Sequence, residues 1–354
     1  MKILFTGATG ILGSHILSSL LLNNEIYVLV RDAEKRLDRL AGLGIPPGNV
    51  FESDMEKEEL GLADNAVARL RSTGLNLILH VAASVKFDEK YRNQTFNINK
   101  NGTQRLIDLG KTLNIRNFHF VSTAYAPFQR NPYEISKKAA EELIISSGLS
   151  YNIYRLGVVV GERRSCSIKG FNGFYGYVMA SYFMAQSIRK GKYSPVELPL
   201  KIPCSFTSTI NIVPVDWVVS QLVSLINLGT FNEIYHLTNP QPPLSSWLLK
   251  VIYDYLHIGG INYVDWESYF KTKTDNGSST LQKLFDRKTE RFLPYLREEK
   301  GFDVSSTEKR LSKQYEPPGI VTEEWIHGLL EYAIKNEFGR QTRNSGVNRE
   351  KFIR

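Results

Sequence analysis

The chain has 354 residues, 42% of them hydrophobic, with a net charge of +8. That length supports one large core or two domains with cores of their own. Cys166 and Cys204, the two cysteines, are too few for a disulfide scaffold or a structural zinc site, so no metal is expected and a reducing compartment, the cytoplasm, is. No apolar run approaches the roughly 20 residues of a membrane span, and "MKILFTGATG" enters a strand with no cleavable targeting segment. The basic balance suits nucleic acid, or equally an anionic ligand such as a dinucleotide, coenzyme A or an acidic carrier protein.

Strand and helix signals alternate from the first residues. "KILFT", "EIYVLV", "NLILHVA", "NFHFVST" and "YNIYRLGVVV" read as short buried strands. "GSHILSSLLLN", "NGTQRLIDLGKTL" and "PYEISKKAAEELIISS" read as helices between them. This alternation predicts an α/β protein with a doubly wound parallel sheet. After Gly161 the chain turns rich in glycine and aromatics, "KGFNGFYGYVMASYFMAQSIRKGK". "STINIVPVDWVVSQLVSLI" then returns to strand and helix, and "NEIYHLTNP" gives one more strand. From about Pro240 the pattern is mostly helical with polar loops. The tail from residue 336 is polar and basic and is expected to be mobile.

"FTGATGILGSH" places Gly7, Gly10 and Gly13 between the first strand and the first helix. Glycine permits a tight turn and close approach of a pyrophosphate, and a helix N-terminus offers unpaired N–H groups. A glycine-rich connection without a ligand is the plainer alternative. The second strand ends "IYVLVRD", with Val30 where NAD-binding units usually carry an acid and Arg31 next. A cation there suits a 2′-phosphate and favours NADPH over NADH, while the nearby Asp32 argues the other way. Arg36 and Arg39 are either helpers or members of a solvated helix face. Asp54, in "FESDM", either bonds an adenine amino group or is an ordinary loop aspartate.

In "NPYEISKKAAEE", Tyr133 and Lys137 lie four residues apart and share one helix face. A phenol titrates near 10, and an adjacent ammonium favours its ionised form. Such a pair can pass a proton to a carbonyl oxygen, although the same spacing also arises from an aromatic beside a solvated lysine. The strand "FHFVST" ends in Ser122 and Thr123, at the strand end where ligands bind in such sheets. Their hydroxyls either hold the same carbonyl oxygen or cap the strand.

Taken together, "TGATGILGSH", "YVLVRD", "LILHVAASVKFD", "NINKNGT", "FVSTAYA", "PYEISK", "IYRLGVVVG", "INIVPVDWV" and "YHLTNPQPP" occur in order over roughly residues 1–245. In these the chain resembles the extended short-chain dehydrogenases/reductases. It is most similar to the fatty acyl-CoA reductase and carrier-protein thioester reductase branch, also called male-sterility-like. The resemblance implies a Rossmann-type sheet with a smaller, mostly helical C-terminal substrate domain. The NADP-binding domain would span 1–161 with a return at 205–237, and the substrate domain 162–204 and 238–335, followed by the 336–354 tail.

The resemblance also implies roles. Thr123, Tyr133 and Lys137 would form the catalytic triad, with Ser122 beside it and Asn99 steadying the proton relay through water. Gly7, Thr9, Gly10, Ile11, Leu12 and Gly13 would line the pyrophosphate of NADP(H), and Arg31 would meet the 2′-phosphate. Asp54 and Met55 would flank adenine. Ala82, Ala83 and Ser84 would follow the ribose and nicotinamide, and Leu156, Gly157 and Val158 the carboxamide. His80 would be structural.

The reaction implied is hydride transfer to an acyl thioester, bound to coenzyme A or an acyl carrier protein, giving an aldehyde or an alcohol. Nucleic acid is not an expected partner, and either a monomer or a homodimer is compatible. Phe171, Phe174, Tyr175, Tyr177, Met179, Tyr182 and Phe183 are either an acyl-channel wall or ordinary core. Lys169, Arg189, Lys190 and Lys192 either guide a phosphopantetheine arm or form a solvated basic face. Two departures bear on this. Only "APFQRNP" separates Tyr125 from Tyr133, where relatives carry a longer loop, and "RLGVVVG" replaces "RPG…G". The alternatives on the same frame are a dehydrogenase or epimerase for a small ketone, alcohol or sugar nucleotide, and an NADP-binding regulatory protein.

Overall fold

The computed structural model describes residues 1–189, 194–274, 278–297 and 301–340. Its first elements are β1 (Lys2–Thr6), α1 (Ile11–Leu20), β2 (Glu25–Val30), α2 (Leu37–Gly42), β3 (Val50–Glu52), α3 (Asp64–Ser72) and β4 (Leu77–His80). Next come α4 (Arg92–Phe96), α5 (Gly102–Thr112), β5 (Asn117–Thr123), α6 (Pro132–Ser146), β6 (Ser150–Leu156) and β7 (Val158–Val160). Then follow α7 (Phe174–Ile188), β8 (Val196–Pro203), β9 (Ile212–Pro214), α8 (Val215–Leu228), β10 (Glu233–Leu237) and α9 (Ser245–Tyr255). The last are β11 (Ile258–Val264), α10 (Trp266–Thr274), α11 (Thr280–Thr289), α12 (Ser305–Leu311) and α13 (Glu323–Lys335).

By its contacts the chain divides into two units. The first comprises Met1–Val159, Ile212–Pro240 and Phe302–Pro318. It is built on a seven-stranded sheet of order β10-β6-β5-β4-β1-β2-β3, parallel throughout. The order reverses between β1 and β4, so the crevice beyond their C-terminal ends is where this topology receives ligands. Successive strand residues point to opposite faces. Ile3 and Phe5 therefore pack with Ile16, Leu17, Val218 and Leu222 of α1 and α8. Leu4 packs on the other face with Leu70, Leu106, Ile107 and Ile144 of α3, α5 and α6. With both faces covered, the strands read as continuous apolar runs, which is why "KILFT", "EIYVLV" and "NFHFVST" form strands over the residues expected. Phe302–Pro318 packs with this unit although it lies inside the 238–335 segment assigned above to the substrate domain.

The second unit comprises Val160–Asn211, Gln241–Gly301 and residues from Gly319 onward. It is largely helical but holds a parallel pair, β8 with β11, that the sequence reading omits. β8 alternates buried and exposed residues, with Pro199 at one of the exposed positions. β11 opens on Gly259 and Gly260 at a register shift. Gly260 adopts a left-handed φ of +76°, and a Cβ there would lie 2.9 Å from the Leu198 carbonyl oxygen, so the strand needs the glycine that makes it look like a loop. Of the tail, Glu337–Gly339 forms a short turn, and residues 341–354 lie outside the described ones. No helix among the described residues is long and apolar enough to cross a membrane.

Candidate active site

The glycine turn is dictated by its own backbone. Gly7 sits at φ +83°, and a Cβ there would lie 2.6 Å from the Ala82 nitrogen. A Cβ on Gly13 would lie 2.0 Å from the Gly7 carbonyl oxygen. The Gly10 N–H donates to that oxygen at 2.9 Å. α1 begins directly after Gly10 with no side-chain cap. The first-turn N–H groups of Ile11, Leu12 and Gly13 are thus donors at the positive end of a helix, chemistry that fits a pyrophosphate. The residues present fit a dinucleotide.

The turn after β2 faces the same region. Arg31 is exposed. Arg36, half-buried, donates from Nη1 to the Thr9 hydroxyl at 2.9 Å, whereas Arg39 stays exposed. Asp32 adopts a left-handed φ of +55°. Its N–H and that of Ala33 donate to the two oxygens of Glu52, at 3.0 and 2.6 Å. Consecutive N–H groups around a left-handed residue form an anion-accepting concavity, which Glu52 fills.

On the adenine side, Asp54 accepts from the Glu56 N–H at 3.0 Å. The Met55 carbonyl accepts from Arg105 at 2.9 Å. Gly102 makes room for Met55, whose side chain would lie 3.1 Å from an added Cβ. Past β4, the Ala82 N–H donates to the Thr6 hydroxyl at 3.4 Å, and Ala83 follows, half-buried. His80 is fully buried between Thr6, at 2.7 Å, and Thr103, at 3.0 Å. Burial and the nearby Lys137 hold its pKa well below the usual histidine range, so it is neutral and structural.

Asn99 lies in a π-helical segment, Asn97–Asn101, between α4 and α5, a distortion that often marks functional positions. Its side chain accepts from the Ser84 N–H at 2.7 Å and donates to the Ser84 carbonyl and the Ser136 hydroxyl, both at 2.9 Å. It therefore ties the loop after β4 to α6 through Ser136, a residue the sequence reading did not single out.

α6 starts with Asn131, whose side chain caps the Glu134 N–H at 3.0 Å, and Pro132 in the first turn. Tyr133 is half-buried, with its ring 5.8 Å from that of Phe87. Burial, then the charges of Glu134 and Glu141, push its phenol pKa up. Lys137, only 2% exposed, donates to the Val121 carbonyl at 2.5 Å and sits 3.7 Å above the Phe120 ring. Burial pushes its pKa down to about 7, opposed by Glu141. Thr123, the last residue of β5, accepts from the Tyr125 N–H at 3.3 Å. Ser122 donates to Glu141 at 2.6 Å. Among the described residues no hydrogen bond joins Thr123, Tyr133 and Lys137 to one another. The helix spacing predicts an ammonium that lowers the phenol pKa; in the structure the ammonium is bonded to β5 and burial raises the phenol.

Leu156 is buried and its carbonyl accepts from the Ala124 N–H at 2.9 Å. Gly157 donates to the Leu237 carbonyl at 3.2 Å, and Val158 opens β7. The short loop before Tyr133 is pinned. Arg130 forks onto the buried Glu134 at 2.9 Å, and its guanidinium lies 5.1 Å from the Tyr125 ring and 4.9 Å from Phe128. Phe302 meets Tyr125 edge-on at 5.5 Å.

In the second unit the aromatic stripe is packed. Tyr175 and Tyr177 are buried. The ring of Phe338 lies 5.8 to 6.1 Å from those of Phe171, Tyr182 and Phe183. Phe174 and Met179 are half-buried. Lys169 is exposed, and Arg189 donates to the carbonyl of Leu256 at the end of α9. Lys190 and Lys192 lie outside the described residues. A surface depression lined by Met1, Lys2, Glu25 and Asn76 sits at the opposite, N-terminal ends of the strands.

The sequence profile of the family described as "Male sterility protein" matches residues 5–131 and 127–222, more than half of the chain. The chain belongs to the male sterility protein family. This is an extended short-chain dehydrogenase/reductase family of NAD(P)-binding proteins, related to nonribosomal peptide synthetase reductase domains and fatty acyl-CoA reductases. The nonribosomal peptide synthetase asaC of Aspergillus flavus is 28% identical over 317 residues, covering 75% of this chain and 29% of that protein. Fatty acyl-CoA reductase 1 of Rattus norvegicus is 32% identical over 147 residues, 35% of this chain and 28% of that protein. The chain thus spans less than a third of the length of these curated relatives. Among solved structures, the terminal R domain from the myxalamid PKS-NRPS biosynthetic pathway superposes with a TM-score of 0.74 at 21% identity. That match covers 95% of this chain and 91% of that one.

Proposed function

We propose that the protein is an NADPH-dependent reductase of acyl thioesters, carried on coenzyme A or an acyl carrier protein. The observation that carries this reading is the presence, within one unit, of an uncapped glycine turn and a Tyr-x-x-x-Lys helix beside the end of β5. Membership of the family, and likeness to a peptide synthetase and to fatty acyl-CoA reductases, support the substrate class. Arg31 at the end of β2 and Arg36 against Thr9 support a 2′-phosphate. Two buried cysteines without a disulfide support a reducing compartment, the cytoplasm.

Gly7, Thr9, Gly10, Ile11, Leu12 and Gly13 would hold the pyrophosphate, with Asp54 and Met55 beside adenine. Ala82, Ala83 and Ser84 would flank the ribose and nicotinamide, and Leu156, Gly157 and Val158 the carboxamide. The chemistry that a bound nicotinamide supplies is a hydride for the thioester carbonyl carbon. Thr123 and Tyr133 would donate hydrogen bonds to the carbonyl oxygen as it gains charge. Tyr133 would deliver its proton there, and a phenol raised by burial stays protonated until the oxyanion forms. Lys137 would supply positive charge behind the phenolate, and Asn99 would hold Ser84 and α6 in register. Collapse of the resulting hemithioacetal releases an aldehyde and a free thiol.

The test is NADPH oxidation with acyl-CoA, acyl-carrier protein and free aldehydes in parallel. Turnover with a thioester is expected. Turnover with aldehydes or ketones but with no thioester would reject the substrate class.

A further inference from the structure

We propose that Glu141 is a positioning residue for the Tyr133–Lys137 pair. Its buried carboxylate, gripped by Ser122 and Arg155, sets where Lys137 docks on β5 and is the anion that follows it one helical turn along α6. The proposal rests on the reading of Tyr133 and Lys137 as the proton-transfer groups.

The geometry begins with spacing. Tyr133, Lys137 and Glu141 stand four residues apart on α6, so they follow one another along one helix face. Glu141 is fully buried. One of its oxygens accepts from Ser122 at 2.6 Å and from Arg155 Nε at 3.0 Å, and the other from Arg155 Nη2 at 2.6 Å. A single carboxylate of α6 thereby bonds β5 through Ser122 and β6 through Arg155. Val121, whose carbonyl receives the Lys137 ammonium, directly precedes Ser122. The clamp thus fixes the stretch of β5 on which Lys137 rests. This also accounts for Ser122, whose hydroxyl serves the clamp.

The second half of the argument is charge. Around Lys137, β4 supplies His80, which burial keeps neutral. β5 supplies the Val121 carbonyl and the Phe120 ring. α6 supplies Tyr133 and Glu141, β6 supplies Arg155 behind Glu141, and β10 supplies His236, which feels both Arg155 and Glu141 and whose pKa burial lowers. Glu141 is the group whose charge opposes the discharge of Lys137 by burial. With no anion nearby a buried amine titrates lower still, at roughly 5–6, and a neutral Lys137 cannot steady a phenolate on Tyr133.

The test is the titration of Lys137 followed by NMR of ¹³Cε-labelled lysine, assigned with Lys137→Arg, in protein free of cofactor. Glu141→Gln is expected to lower the Lys137 midpoint by roughly one pH unit, and Glu141→Asp to restore most of it. Arg155→Gln, which removes the counter-cation, is expected to move the midpoint up, so either variant suffices if the other does not fold. In the same series the basic limb of the kcat profile should follow the NMR midpoint. A midpoint unmoved in folded Glu141→Gln, or not raised in folded Arg155→Gln, overturns the proposal even if both variants melt early. Full turnover by Tyr133→Phe would instead reject the parent reading and leaves the NMR result to judge Glu141 by itself.

Discussion

Arg36 reaches back from the turn after β2 and donates to the Thr9 hydroxyl at 2.9 Å, tying that turn to the glycine turn after β1. In the sequence Arg36 was indistinguishable from a solvated helix residue. Its contact places it beside the glycine turn.

If a 2′-phosphate docks between Arg31 and Arg36, removing either cation should cost NADPH selectively. Arg31→Ala and Arg36→Ala are each expected to weaken NADPH binding about tenfold, the equivalent of one charge-assisted hydrogen bond. NADH binding should change little. Fluorescence titration of both cofactors decides the matter, and equal losses for the two would place the arginines at the pyrophosphate.

The added Cβ of Gly13→Ala would sit 2.0 Å from the Gly7 carbonyl oxygen. The turn must open to admit it, at a stability cost of about 1–3 kcal/mol typical of overpacking. Thermal melting should register the loss, and NADPH should no longer protect the variant against unfolding. A variant with wild-type melting and wild-type protection would show that the turn yields freely.

Tyr133→Phe removes the phenol hydroxyl and keeps the ring against Phe87. Turnover on the preferred thioester is expected to fall by about 10²–10⁴-fold, the usual worth of a positioned general acid, with little change in melting temperature. Steady-state kinetics with matched melting curves separate this from a folding defect.

His119 is buried on β5, bonded to the Tyr154 hydroxyl at 2.7 Å and the Thr230 hydroxyl at 2.8 Å. Burial pushes its pKa down to about 3. The unfolded chain then binds this proton more readily than the folded one, so stability rises with pH across this range. Acidification from pH 7 to pH 5 should therefore remove about 2 kcal/mol through this group. Urea unfolding at the two pH values should show that loss, and His119→Gln should diminish it.

The parallel sheet was legible because both of its faces are buried, which turns each strand into an unbroken apolar run. β8 and β11 were not, because Pro199 and the Gly259–Gly260 pair look like loop signals, while the reason for Gly260 is a left-handed φ against the Leu198 carbonyl far away in sequence. The glycine turn and the Tyr133–Lys137 spacing could be read because each is local. Arg36 against Thr9, Ser136 against Asn99 and Ser122 against Glu141 are contacts between distant segments, invisible to periodicity. Glu141 stood in plain view as the third member of a four-residue series, yet a glutamate on a helix facing solvent has the same spacing.

The return of Phe302–Pro318 to the first unit bears on how the chain is made. A ribosome that has released residues 1–161 has delivered six of the seven strands of the sheet, but β10, which covers the edge of β6, arrives only at Leu237. Leu311 of α12, which joins the core built on α1 and α8, comes later still. During synthesis β6 is therefore a bare edge of the kind that templates wrong pairings. A fragment ending at residue 161 would keep that edge permanently, so the sheet that carries the glycine turn depends on sequence made long after the turn itself.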